Sequence, residues 1–127
     1  MSASAAFETA SADPRRIAAL LGETARASLG ACYDPASLLI DGFDPLAGME
    51  PLAERILIAR LRDALAGSKQ RPGRETAIGQ GQIDFAEYWA ALEQAGYHNS
   101  TFIRRTDADN PLRELADAKR HLESLLR

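Results

Sequence analysis

The sequence predicts an α/β fold of about four strand–helix units with parallel strands. Short apolar runs of strand length, the clearest being ILIARL at 56–61, alternate along the chain with segments whose apolar residues recur at helical spacing. Asp-Pro and Asn-Pro pairs, which place a capping residue directly before a helix-starting proline, occur at Asp13, Asp44 and Asn110. Alternation of strands with helices favours a parallel sheet built from right-handed crossovers.

The first half of the chain contains two of these units. Residues 5–10 are either a short strand or a frayed end, and a helix that begins at Asp13 runs to residue 26 or 27. Leu29–Tyr33 is predicted to be a buried strand that stops before an Asp-Pro pair, because proline cannot extend a central strand. Residues 36–45 are expected to form a loop with a helical turn, followed by a short helix that runs from Asp44 to about residue 53.

The second half begins with the strand Ile56–Leu61 and continues into residues 64–78, which are polar and rich in glycine and proline. This composition predicts a mobile loop. Three elements follow the loop: a helix that Asp84 caps and Gly96 stops, a strand at 100–103, and a helix that begins at Asn110.

Two glycines, Gly79 and Gly81, precede the Asp84 helix in the stretch GQGQ. Their backbone N–H groups could cradle a phosphate at the start of a helix. Alternatively, the glycines serve only to form a turn. A lone Gly-x-Gly is a poor indication of phosphate binding, so the turn interpretation is favoured.

Composition limits the classes of function. The chain has 127 residues, net charge −3 and interleaved charges, which predicts a single domain, 1–127, without a basic surface for nucleic acid. No apolar run approaches the length of a membrane span, and the N-terminal stretch lacks the pattern of a secretory signal, so we expect a cytoplasmic protein that binds no membrane. Its one cysteine, Cys32, lies in an apolar run typical of a buried thiol.

Ligands of parallel sheets gather beyond the carboxyl ends of the strands. The chemically capable residues at those ends fall into four groups along the chain: Glu8; Asp34; Arg60 or Arg62 with Asp63; and Arg104 with Arg105.

Four stretches, in this order and spacing, resemble the C-terminal half of the xylose-isomerase-like TIM barrels. They are LGACYDPASLLIDGFDP, ERILIARLRDA, GQGQIDFAEYWAALEQAGY, and STFIRR with NPLRELADAKRHLESLL; AFETA is similar to the preceding strand of that family. The family comprises sugar-phosphate isomerases and epimerases and also includes apurinic-site endonucleases. The resemblance implies half of a (β/α)8 barrel.

The resemblance also implies a site. Family members hold one divalent metal with two glutamates, one aspartate and one histidine at the strand ends. Glu8 and Asp34 stand at the first glutamate and the aspartate positions, which makes them the candidate catalytic residues. Arg60 stands at a histidine position, Arg104 at the last glutamate and Ser37 at a further polar position, which makes these three the candidate substrate-binding residues.

The two arginines depart from the family pattern. A guanidinium is cationic and offers only hydrogen-bond donors, so it cannot ligate a metal. Arg60 and Arg104 either pair with Glu8 and Asp34, filling the metal space, or point into solvent. We therefore expect no cofactor; a divalent metal such as Mn or Zn would bind only if the family's site survived.

Length decides the expected partners. A complete barrel needs about 250 residues, and an open sheet of four parallel strands leaves two edges unpaired. We expect a homo-oligomer or a complex with a separate N-terminal half-barrel chain.

Two functions stay open. One is isomerisation or epimerisation of a sugar or sugar phosphate, active only when another chain completes the barrel. The other is a non-catalytic structural or binding module whose metal site is replaced by Arg–carboxylate pairs.

Overall fold

A computed structural model describes residues 3–9, 12–24 and 28–126. The elements are, in chain order, β1 (Ala5–Glu8), α1 (Pro14–Thr24), β2 (Leu29–Tyr33), α2 (Pro35–Ile40), a 3₁₀ helix (Ala47–Arg55), β3 (Ile56–Leu61), β4 (Asp63–Leu65), β5 (Arg74–Thr76), α3 (Phe85–Gln94), β6 (Thr101–Ile103) and α4 (Pro111–Leu125). In the part of the chain that is described, no helix combines the length and the apolar character needed to cross a bilayer.

The main sheet has the order β1-β2-β3-β6, and every neighbouring pair of strands in it is parallel. Strands that follow each other in this order with intervening helices form half of a (β/α)8 barrel, which confirms the predicted fold class. The carboxyl ends of the four strands therefore lie along one edge of the sheet, where the site was expected.

The core lies between the sheet and its helices. Successive strand residues point to opposite faces, and the face that includes Tyr33, Ala59 and Leu61 is buried. Tyr33 and Tyr88 of α3 stack with ring centroids 6.3 Å apart. The opposite face includes Ile58 and Phe102, which are 37% and 54% exposed. One face of the sheet is thus packed and the other is open.

Three of the predicted helix caps are present, the first being Asp13, whose carboxylate accepts a hydrogen bond from the Arg15 amide at the start of α1. The Asp84 carboxylate accepts a hydrogen bond from the Glu87 amide, and the Asn110 side chain accepts one from the Arg113 amide. Gly96 follows α3 with φ of +79°, as expected of a glycine that ends a helix.

Three predicted segments differ from the structure. The segment 36–45, expected to be a loop with a helical turn, contains the helix α2 up to Ile40, because Asp34 caps that helix by accepting a hydrogen bond from the Ser37 amide. The helix expected from Asp44 is a 3₁₀ helix that starts at Ala47. The loop expected at 64–78 contains the antiparallel pair β4–β5.

The ends of two further predicted elements, at residue 10 and at 26–27, lie outside the described residues.

The glycine turn before α3 surrounds a side chain of the chain itself. The Asp63 carboxylate, 1% exposed, accepts hydrogen bonds of 2.9–3.1 Å from the amides of Ala64, Gly79, Gly81 and Ile83. The N–H groups that could have held a phosphate are therefore occupied, and the turn interpretation of GQGQ is correct. Burial of a carboxylate is tolerated here because backbone donors replace water.

Replacement of Gly81 by alanine is expected to destabilise the fold by about 1–3 kcal/mol, because the added Cβ would lie 2.1 Å from Oδ1 of Asp63 and 2.6 Å from the Ala64 carbonyl oxygen. Gly22 of α1 is the matched control. Its Cβ would meet nothing within 4 Å, so Gly22→Ala should stabilise by about 0.5–1 kcal/mol. Urea unfolding of both variants measures the difference; equal effects would show that Asp63 does not fix the turn.

Candidate functional site at the strand ends

Three of the predicted site residues form one cluster on the open face of the sheet. Glu8 ends β1, Arg60 lies in β3 and Arg104 follows β6. The Nη1 atoms of Arg60 and Arg104 both lie 3.0 Å from Oε1 of Glu8. The alternative in which both arginines point away into solvent is thereby excluded. We call Glu8, Arg60 and Arg104 the inner cluster.

The two arginines hold Glu8 differently. Arg104 donates a hydrogen bond to the carboxylate, whereas Nη1 of Arg60, although within ion-pair distance, is buried without an aligned acceptor. Nε of Arg60 donates to Sγ of Cys32 at 3.2 Å. Burial raises the pKa of the Cys32 thiol, and the neighbouring guanidinium only partly opposes this effect. Cys32 is therefore a packed thiol, as predicted, rather than a nucleophile.

Asp34 and Ser37 belong to a second cluster, which Arg62 organises. Nη1 of Arg62 donates to Oδ2 of Asp34 at 3.0 Å and to Oγ of Ser37 at 3.1 Å. The expectation that Asp34 pairs with Arg60 or Arg104 is therefore wrong. Arg60 and Arg62 lie two positions apart, so both reach the same side of the sheet, and Arg62 is the one beside the end of β2.

Glu75 of β5 is the central residue of this second cluster. Its carboxylate accepts from Nε of Arg62 at 2.6 Å, from Nη1 of Arg105 at 2.8 Å, and from the amides of Thr106 and Asp107. Burial alone would raise the pKa of Glu75, but the hydrogen bonds from Arg62 and from the two amides outweigh it and lower the pKa below its ordinary value.

Arg105 extends the contacts to α4, because its Nε donates to Glu114 at 2.6 Å. Burial would lower the pKa of Arg105, but its bonds to Glu114 and Glu75 raise it instead. Five side chains thus form a continuous series across the strand ends, which we call the rim network: Asp34, Arg62, Glu75, Arg105 and Glu114.

Sequence reasoning placed Arg62 and Arg105 at strand ends but did not find Glu75. The residue lies in the segment predicted to be a loop, and no local pattern marks it as buried. The available signal was indirect, since the arginines at the ends of β3 and β6 need more counter-charges than the strand ends supply.

The residues do not fit a divalent metal. Among residues 3–9, 12–24 and 28–126, no three His, Cys, Asp or Glu side chains converge as a ligand set. Glu8 and Asp34 are each engaged by guanidinium groups, whose donors would face and repel a cation.

Glu75→Gln is expected to lower stability at neutral pH by about 3–5 kcal/mol, because Arg62 and Arg105 lose their shared counter-charge. The pKa of Glu75 is lowered from 4.5, so its contribution is complete above that value and is lost as the pH falls through the folded-state pKa. The melting temperature of the native chain should therefore fall more steeply with acid than that of the variant. Glu93→Gln, at an exposed position of α3, is the control and should keep the native acid dependence.

Comparisons with known proteins agree with the geometry. A structure of a xylose isomerase domain protein from Planctomyces limnophilus superposes with a TM-score of 0.87 at 24% identity, over 96% of this chain and 46% of that one. A xylose isomerase domain protein from Alicyclobacillus acidocaldarius subsp. acidocaldarius gives a TM-score of 0.54 at 22% identity, over 77% of this chain and 37% of that one. At these identities the likeness shows the fold alone.

The chain therefore spans less than half the length of these two solved relatives. No curated protein matches the sequence. The family model described as "Xylose isomerase-like TIM barrel" matches residues 5–125, which is nearly the whole chain. The chain belongs to the xylose isomerase-like TIM barrel family.

Proposed function

We propose that this chain is a non-catalytic binding module in which Arg–carboxylate pairs occupy the position that the family uses for a metal. The observation that supports it is the inner cluster, in which two guanidinium groups share one oxygen of Glu8. A carboxylate held in this way is already charge-compensated, and the two arginines would oppose the entry of a second cation.

The ligand of this module is proposed to be a sugar or a sugar phosphate. The side chains of Arg104 and Arg60 are 44% and 24% exposed, so both present guanidinium surface toward the open face. Guanidinium groups bind phosphate oxygens in a bidentate manner. Phe102, the register partner of Arg60, adds an exposed ring beside them. Ser37 is proposed to contribute indirectly, by orienting Arg62.

We further propose that another half-barrel covers the open face, either a second copy or a separate N-terminal half. Exposed apolar side chains occur in the first and last strand–helix units and on the open face of the sheet: Phe7 in β1, Leu20 in α1, Leu112 and Leu125 in α4, Leu126 just after it, and Ile58 and Phe102 on the open face of β3 and β6. Parallel sheets in α/β proteins are normally covered on both faces and have paired or protected edges. Burial of these side chains would supply the association energy.

A second candidate is sugar or sugar-phosphate isomerisation or epimerisation by the completed barrel. It is favoured by the position of Glu8, whose side chain is 40% exposed on the open face and so accessible to a ligand. Asp34, the other proposed catalytic residue, has a fully buried side chain bonded to Arg62 and to the Ser37 amide. Only Glu8 is therefore available to exchange a proton, which makes this candidate the weaker of the two.

Titration with Mn²⁺ or Zn²⁺ separates the two functions. The binding-module proposal predicts no stoichiometric metal site in the native chain, because guanidinium groups occupy the ligand positions. Isothermal calorimetry with the native chain and with Glu8→Gln makes the measurement. Tight one-to-one binding that disappears in Glu8→Gln would contradict the proposal, whereas weak binding equal in both chains would reflect surface residues.

Light scattering tests the proposal that another half-barrel covers the open face. The isolated chain is expected to associate, with a mass above the 13.8 kDa of one copy, because its open face is otherwise in water. Leu112→Glu, at a residue 83% exposed on α4, should reduce the association. Leu46→Glu is the matched control, since Leu46 is 37% exposed but lies in the connection between β2 and β3, the two central strands of the sheet. A compact monomer that unfolds cooperatively would refute self-association.

A further inference from the structure

We propose that a cavity between the β4–β5 pair and α4 binds a small organic anion through a phosphate or carboxylate group. The cavity has a volume of about 420 Å³. It does not include the inner cluster, so the inference does not depend on the function proposed above. The residues that line it include Leu65, Arg74, Thr76, Gln80, Glu114 and Asp117.

Each acidic side chain that lines the cavity has a basic partner. Glu75 is held by two arginines of the rim network, and Glu114 is bonded to one of them. Asp117 forms ion pairs with Arg113 and Arg120 of its own helix. The acidic walls therefore do not by themselves call for a bound cation.

Arg74 is different, because it has no acidic partner among the residues that the structure describes. Its side chain lines the cavity from β5, where it pairs in register with Leu65. Among the described residues that line the cavity, Arg74 is therefore the one whose charge is available to a ligand. A guanidinium in this state favours an oxyanion, which it binds through paired N–H groups.

Thr76 lines the same cavity and has a hydroxyl group that no described residue satisfies. Its hydroxyl oxygen is buried and has no hydrogen-bond partner within the described part of the chain. Buried polar groups in native proteins are nearly always satisfied, and an exception calls for a bound partner. Arg74 and Thr76 are two residues apart in one strand, so their side chains leave the same face of β5. One oxyanion can accept from both.

The remaining walls indicate the size and character of the ligand. Gln80 adds an amide at the mouth, while Leu65, Ile78 and Ala118 form apolar wall. A volume of about 420 Å³ exceeds that of a bare phosphate and lies within the range of small-molecule sites. The geometry therefore fits an anion that carries a short carbon skeleton, with its charged group at Arg74 and Thr76.

Nuclear magnetic resonance titration of the full chain tests the inference. The probes are inorganic phosphate and propionate, with chloride at equal ionic strength as the screening control. We expect saturable shifts of the amide signals of Arg74, Thr76 and Gln80 with at least one probe, and the probe that saturates identifies the charged group. Arg74→Gln should weaken binding by about tenfold or more, as expected for loss of a charge-assisted hydrogen bond, and Thr76→Val should weaken it as well.

Arg71→Gln is the matched control, because Arg71 lies in the same connection and is exposed, but does not line the cavity. It should bind as the native chain does. The inference is overturned if neither probe gives saturable shifts, if Arg74→Gln binds normally, or if Arg71→Gln weakens binding equally.

Discussion

The need to compensate buried carboxylates governs the end of the sheet where the site lies. Asp34, Asp63 and Glu75 are all withdrawn from water, and an isolated charge there would be strongly unfavourable. Asp63 is satisfied by backbone amides, Asp34 by one arginine and a helix amide, and Glu75 by two arginines and two amides. The glycine turn, the start of α2 and the β4–β5 pair are each held in place by one of these carboxylates.

The same requirement explains why this edge does not fit the metal chemistry implied by the family. A metal ion and a guanidinium supply the same thing to a carboxylate, positive charge at short range. Once arginines supply it, the lone pairs that a metal would need are engaged, and the added positive charge disfavours a further cation. Arg60 and Arg104 both contact Glu8, so their effects on this carboxylate are coupled.

Local patterns predicted much of the fold and part of the site. The alternating apolar runs predicted the parallel strands, and the caps at Asp84 and Asn110 predicted two helix starts. These signals could be used because each is contained within a few consecutive residues. The partner of Asp34 was not predictable in this way. Arg60 and Arg62 share a face, and the choice between them depends on strand register. Glu75 was missed because its burial depends on segments about 13 and 30 residues away.

The charge balance of the strand ends bears on the proposed completion of the barrel by another half. Four arginines face four carboxylates there: Arg60, Arg62, Arg104 and Arg105 against Glu8, Asp34, Glu75 and Glu114. Since this chain compensates its own charges, a completing half need not supply counter-charge at the strand ends. Its contribution would come from apolar contact with the exposed side chains at the sheet edges, so association should depend little on salt. A half-barrel with unbalanced ligands would instead require a partner of opposite charge.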